Sequence, residues 1–173
     1  MANDKDSIVI RDANIGSVNF TGTVKSPFDR EGKRYILVRL DPDMADYLRD
    51  IGWPVKMTKP KPDRPDYEPY PFLKVNIKFD FFYYNGLRKT SKVYMVTKKN
   101  KILMDESNIH QLEENYIEKA DLKIDYIYYK SFDQWSLVLE SGFFTIEPDE
   151  LYDEYFGVSS EPIFDDEDDI PFN

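Results

Sequence analysis

Cysteine is absent from this chain of 173 residues, and histidine occurs once, at position 110. Without cysteine there are no disulfides, no thiolate nucleophile and no zinc site that uses sulfur. A single histidine excludes a histidine-rich metal centre and any Ser-His-Asp triad built on another histidine. His110 itself reads as a surface residue of a short helix. No glycine-rich phosphate loop and no nucleophile elbow is present. The acids clustered over 147–154 read as the negative start of a helix and not as a metal cage. The expectation is a protein that is not an enzyme and uses no cofactor or metal. Long apolar runs are missing as well, so no membrane span is expected. Neither is a basic start followed by an apolar core, the pattern of a signal peptide. These absences point to a soluble, cytoplasmic chain.

What the chain does have is aromatic residues and unevenly placed charge. Aromatics make up 16% of it, 13 Tyr and 12 Phe against 2 Trp, which favours β-structure. The net charge of −10 hides a polarised distribution. Residues 1–55 hold 8 basic and 9 acidic side chains, and residues 56–101 hold 12 and 4, a net +8. Residues 102–160 hold 3 and 14, a net −11, and residues 161–173 hold 6 acids and no base. Such asymmetry says more about partners than the total does.

Short strands are expected at Ile8 to Ile10, Ser17 to Val24 and Lys33 to Leu40. Asp41 as cap, Pro42 at the first helical position and Gly52 beyond the end punctuate a helix that turns Met44, Leu48 and Ile51 to one face. Trp53 to Met57 returns as a strand. The five prolines of Thr58 to Pro71 exclude a central strand and predict an extended loop. From Phe72 to Phe79 the pattern alternates, with Leu73, Val75, Ile77 and Phe79 opposite Lys74, Asn76 and Lys78. Asn85-Gly86 signals a hairpin between Phe81 to Tyr84 and a strand near Lys92 to Thr97. A short helix is expected over 107–114, two long strands over 120–129 and 134–146, and a second helix over 148–157. The fold class is mainly β with short helices, an OB-type small barrel over residues 7–157 after a frayed 1–6. From Val158 periodicity stops, and 158–173 reads as a disordered acidic tail.

The basic middle is also the aromatic middle, and single-strand binders need cations for phosphates and flat rings for bases. The candidate DNA-binding residues are Lys56, Lys59, Lys61, Arg64, Tyr67, Tyr70 and Phe72 on and beside the proline loop. Lys74 and Lys78 follow on one strand face, and Tyr83, Tyr84, Arg88 and Lys89 at the Asn-Gly hairpin. Trp53 and Phe79 read as core. Weaker extensions are Arg30, Lys33 and Arg34 at a second hairpin, and Lys98, Lys99 and Lys101. At the C-terminus, Asp165, Asp166, Glu167, Asp168 and Asp169 precede Ile170, Pro171 and Phe172. Five successive acids stay solvated, while an apolar anchor beside carboxylates suits a partner's pocket rimmed by basic residues.

The ending DDEDDIPF resembles the acidic tip of bacterial single-stranded DNA-binding proteins, which docks other replication and repair enzymes. This chain departs from it by ending on Asn173, so its terminal carboxylate is not on the phenylalanine. The body resembles the single-stranded DNA-binding proteins of tailed phages, a group of OB-fold proteins. The stretches that carry this are Val18 to Gly22 (VNFTG), Asp29 to Leu40 (DREGKRYILVRL), Ala45 to Met57 (ADYLRDIGWPVKM), the loop to Phe79, and Thr145 to Tyr155 (TIEPDELYDEY). The resemblance implies single-stranded DNA as ligand, replication or recombination proteins as tail partners, and the host cytoplasm as location; it leaves a homo-oligomer open. The rival reading is an acidic DNA mimic or adaptor that binds a host protein, which the net charge favours and the +8 segment opposes.

Overall fold

The computed structural model describes residues 7–27, 29–80, 82–84, 87–129 and 134–147. Eleven strands and two helices follow one another within them. The first strands are β1 (Ser7–Ile10), β2 (Asn14–Asn19) and β3 (Arg34–Arg39), then α1 (Pro42–Asp50), β4 (Lys56–Met57) and β5 (Pro71–Ile77). Next come β6 (Phe82–Tyr84), β7 (Leu87–Lys89), β8 (Lys92–Val96), β9 (Lys101–Met104), α2 (His110–Glu113), β10 (Ile117–Tyr129) and β11 (Gln134–Ile146). The chain is mainly β, as the patterning predicts.

Nine strands form one sheet with the path β1-β10-β11-β5-β3-β2, while β6 and β7 form a separate hairpin. The hydrogen-bond ladder is not closed, because β1 and β2 are its two ends. Yet these ends are consecutive in the chain. Laid flat, the six strands of that path would hold β1 and β2 about 24 Å apart, at ~4.8 Å per spacing. The four steps from Ile10 to Asn14 reach about 14 Å at most. The sheet must therefore curl back on itself. Asp12, with φ of 50°, makes the corner, and Ala13 N–H already donates to Ala120 on β10 (2.7 Å).

Alternation decides what lies inside the curl. Ile36 and Val38 of β3, Leu73 and Val75 of β5, and Leu122, Ile124, Leu139 and Phe144 of the β10–β11 pair are all buried. Each such side chain contributes about 1.5–3 kcal/mol on leaving water. Phe20 meets Phe144 edge to face at 5.4 Å. Gly142 permits this packing, since a Cβ there would lie 2.8 Å from the Phe144 ring. The helix α1 covers one end as its signals predict: Asp41 accepts from Met44 N–H (2.8 Å), and Leu48 is buried. Trp53 joins the core, and His110 sits exposed on α2.

Several boundaries differ from expectation. Between Trp53 and Met57 only Lys56 and Met57 pair, beside β5. β2 begins and ends earlier than predicted: Asn19 is its last paired residue, opposite Tyr35, and its side chain holds the loop that follows. β9, which no pattern announced, forms by pairing with β8. The expected helix over 148–157 and the tail over 158–173 lie outside the described residues, as do Asn85 and Gly86 of the expected turn. Tyr84 pairs with Leu87, which leaves two residues between β6 and β7.

Candidate nucleic-acid interface

The β3–β5 ladder fixes the two faces of the site. Tyr35 pairs with Asn76, Leu37 with Lys74, and Arg39 with Phe72, while the alternate pairs Ile36–Val75 and Val38–Leu73 point inward. The outward strip is thus Tyr35, Leu37, Arg39, Phe72, Lys74 and Asn76. At about 3.4 Å per residue, Tyr70 to Lys78 covers about 27 Å.

The proline loop adjoins one end of this strip. Thr58 clips its base: Thr58 N–H donates to the Tyr70 carbonyl (3.1 Å), and its hydroxyl accepts from Tyr70 N–H (3.0 Å) and the Tyr67 hydroxyl (2.8 Å). Residues 59–66 are exposed. The loop does not run extended as expected. Arg64 N–H donates to Lys61 (3.0 Å) and Tyr67 N–H to Arg64 (2.9 Å), giving two successive turns. Pro62-Asp63 and Pro65-Asp66 occupy their central positions, where proline's fixed φ and a short acid favour turning. The Pro-Asp pairs, and not the number of prolines, carry the turn signal here.

At the other end of the strip the loop between β2 and β3 is held by its own polar groups. Asn19, fully buried, accepts from Gly22 N–H (2.9 Å) and donates to the Thr23 carbonyl (2.8 Å). Gly32 N–H donates to the Gly22 carbonyl (2.8 Å), and a Cβ on Gly22 would stand 3.1 Å from Gly32. Asp29 accepts from Lys25 N–H, Ser26 N–H and the Tyr35 hydroxyl (2.9, 3.1 and 2.7 Å). The Tyr35 hydroxyl bond, followed by those backbone donors, holds the Asp29 carboxyl below its ordinary range. Burial, then the bond to Asp29, pushes the Tyr35 hydroxyl up to about 12. Tyr35 therefore stays a neutral, fixed ring.

Four rings in this region each have a cation against them. Arg39 lies 4.1 Å from the Tyr70 ring centre, Lys61 4.6 Å from Tyr67, Lys74 4.7 Å from Tyr35, and Arg34 5.3 Å from Phe79. A groove of about 680 Å³ opens beside Tyr35 and is lined by Arg30, Lys33, Arg34, Lys74 and Lys78. Two acids, Asp80 and Glu106, share it, and Glu106 stands 3.7 Å from Arg34.

Of the residues expected from sequence, the strip and proline loop bring together Lys56, Lys59, Lys61, Arg64, Tyr67, Tyr70, Phe72, Lys74 and Lys78. Lys56 takes part through its pairing with Phe72. Tyr83, Tyr84 and Arg88 lie on the β6–β7 hairpin. Lys89 is drawn elsewhere, to Glu140 (3.1 Å). Phe79 packs against the core as expected and also lines the groove. Sequence reasoning missed Tyr35 and Arg39, although the alternation in KRYILVRL places both opposite the core face. It also missed a ring cluster on β10 and β11. Trp135 lies 4.8 Å from Tyr126 and 5.4 Å from Tyr128, and Trp135 and Tyr128 are about half exposed. That cluster faces away from the strip, since the neighbouring Ser136 hydroxyl accepts from Asn76 (2.9 Å).

A curled β-sheet with one outward strip of rings and cations has the form of a nucleic-acid-binding protein. A family model described as "putative phage ssDNA-binding domain" matches residues 2–170. The chain belongs to that family of phage single-stranded DNA-binding domains. No curated protein and no solved structure matches it.

Proposed function

We propose that this protein coats single-stranded DNA without strong sequence preference during phage replication or recombination, in the host cytoplasm, by binding alone and with no catalytic step. The observation that carries this reading is the set of ring–cation pairs along the outward strip of β3 and β5 and its flanking loop. A cation over an exposed ring is worth about 0.5–1 kcal/mol. A base stacked on such a ring is worth roughly 1–3 kcal/mol. An arriving strand therefore displaces Arg39, Lys61 and Lys74 from the ring faces, and each displaced cation has a phosphate within reach of its long side chain. Every base has a π-face, so stacking tolerates any sequence. A duplex hides those faces and gains only the phosphate contacts.

The pairing order supports an OB-type domain over 7–157: β3, β5, β11 and β10 pair in succession, β5 runs parallel to β11, and the β1–β2 segment joins the ends. In this reading 158–173 is a tail that recruits replication or recombination proteins. Asp165 to Asp169 supply charge to it, and Ile170, Pro171 and Phe172 the apolar anchor. The tail's 6 acids over 161–173 also compete with DNA for the cations.

The test is a salt series. Changing Lys59, Lys61 and Arg64 together to Ala should weaken binding of an oligothymidylate. It should also flatten the plot of log K against log salt by about 2, at ~0.7 per lost phosphate contact. An unchanged slope contradicts a role of the proline loop in holding the backbone.

A further inference from the structure

A second groove, of about 880 Å³, lies on the other side of Phe79 and Asp80, and these two residues line both grooves. Its cations are Lys89, Lys92 and Lys123, and its rings are Tyr94 and Phe143. The two rings stack with centres 4.7 Å apart and planes 3° from parallel. Phe143 is the more exposed of the two, and Lys92 is exposed. The topology explains the adjacency. One edge of β11 pairs first with β5, at Val138, and then with β8, from Ser141 to Thr145. Buried Ser91 joins the three strands: its N–H donates to Lys78 (2.8 Å), and its hydroxyl accepts from Lys78 N–H (2.9 Å) and donates to Leu139 (2.6 Å). The chain between, which carries the β6–β7 hairpin, leaves and returns at the junction of the two grooves.

Resting on the reading that the outward strip, whose Tyr35 and Lys74 line the first groove, holds single-stranded DNA, we infer that the strand continues past Phe79 and Asp80 into the second groove, where Lys92 and Lys123 take phosphates and Phe143 takes a base. Of the two acids in the second groove, Glu140 is a placeholder. Glu140 holds Lys89 (3.1 Å) and Lys123 (3.3 Å), so two cations stay positioned while no strand is bound. Phosphates replace one carboxylate when DNA arrives. The Asp80 charge at the junction keeps the backbone from settling there, so the nucleotide crossing it is held by its neighbours. Binding thus becomes length-dependent: a short strand fills the first groove, and a longer one engages both.

The probes are oligothymidylates of about 5 and about 15 nucleotides, within the range that single OB-type domains occupy. The Lys92→Ala, Lys123→Ala double variant should bind the longer strand about tenfold more weakly, with its salt slope reduced by about 1.4 for two lost contacts. Binding of the shorter strand should match wild type, which also shows that the variant is folded. Glu140→Gln, which releases Lys89 and Lys123, should tighten the longer strand about threefold at low salt and leave the shorter one unchanged. If both variants bind the longer strand with wild-type affinity and slope, the second groove is not part of the track. If wild type binds neither strand, the single-strand reading itself fails and the extension falls with it.

Discussion

Replacing Asp125 by asparagine will remove on the order of 2 kcal/mol of the stability that the wild type loses between pH 5 and pH 8. Asp125 is fully buried on β10, opposite Val138. Burial first, and then the charge and hydrogen bond of Glu140, push its carboxyl up to about 7; Ser7 of β1 and Lys89 of β7 act the other way. Burial also opposes the charge on Glu140. The bonds from Asp125 and Lys89 and the charges of Lys89 and Lys123 outweigh it and keep Glu140 below its ordinary range. Asp125 is therefore the partner that keeps the proton. In the unfolded chain it ionises near the ordinary aspartate value of about 3.9. Between that value and about 7 the folded chain binds a proton that the unfolded chain has released. Its contribution is fully present at acid pH and is lost as the pH rises through that window. Asparagine cannot ionise, so urea midpoints at the two pH values should lie closer together in the variant. Equal midpoint shifts in the two proteins would mean that Asp125 titrates in the ordinary range.

The second large effect is on DNA. Tyr35→Ala and Tyr70→Ala together should cost roughly 2–6 kcal/mol of single-strand affinity, from 1–3 kcal/mol per stacked base. That is about thirtyfold at the least. Both rings belong to the outward strip and its flanking loop, and neither is a member of the buried core, so urea midpoints should fall only by about the 0.5–1.5 kcal/mol of the lost Tyr35–Asp29 bond, with the fold retained. Tyr35→Phe separates the ring from its hydroxyl. It keeps the stacking surface but loses the bond to Asp29 (2.7 Å), so its affinity should stay within a few-fold of wild type. Loss of affinity in Tyr35→Phe equal to that in Tyr35→Ala would shift the role from the ring to the loop that Asp29 organises. Affinity within threefold of wild type in the double Ala variant would place the stacking platform elsewhere, with the Trp135–Tyr128 pair as the next candidate.

Local signals in the chain were legible where local physics decides the structure. Asp41 and Pro42 specify the start of α1, and the alternation from Leu73 to Ile77 specifies which side of β5 is buried. The strands predicted over 120–129 and 134–146 match β10 and β11 apart from three further residues at the start of β10. What could not be read was set by pairings distant in sequence. That β5 and β8 share one edge of β11, and so place two grooves end to end, depends on contacts across about sixty residues in one case and fifty in the other. Charge counted by segment pointed to the basic middle of the chain. The same count set aside residues 102–160 as acidic, although Lys123 and Phe143 of that stretch line the second groove. Lys89 reads from the sequence as a DNA contact at a hairpin, and the fold adds that Glu140 holds it beside the second groove. Tyr35 was hidden for a related reason. An outward tyrosine on β3 becomes part of a binding face only once β5 pairs beside it and brings Lys74 against its ring.

The central claim is that this strip reads exposed bases and not only phosphates. Its most direct test is a fluorescence anisotropy titration of the full chain with one labelled strand of about 15 nucleotides, alone and annealed to its complement, at matched salt. The account predicts binding to the free strand at least about thirtyfold tighter, since two or more stacked bases at roughly 1–3 kcal/mol each are lost in the duplex. Equal affinity for the two forms would contradict it.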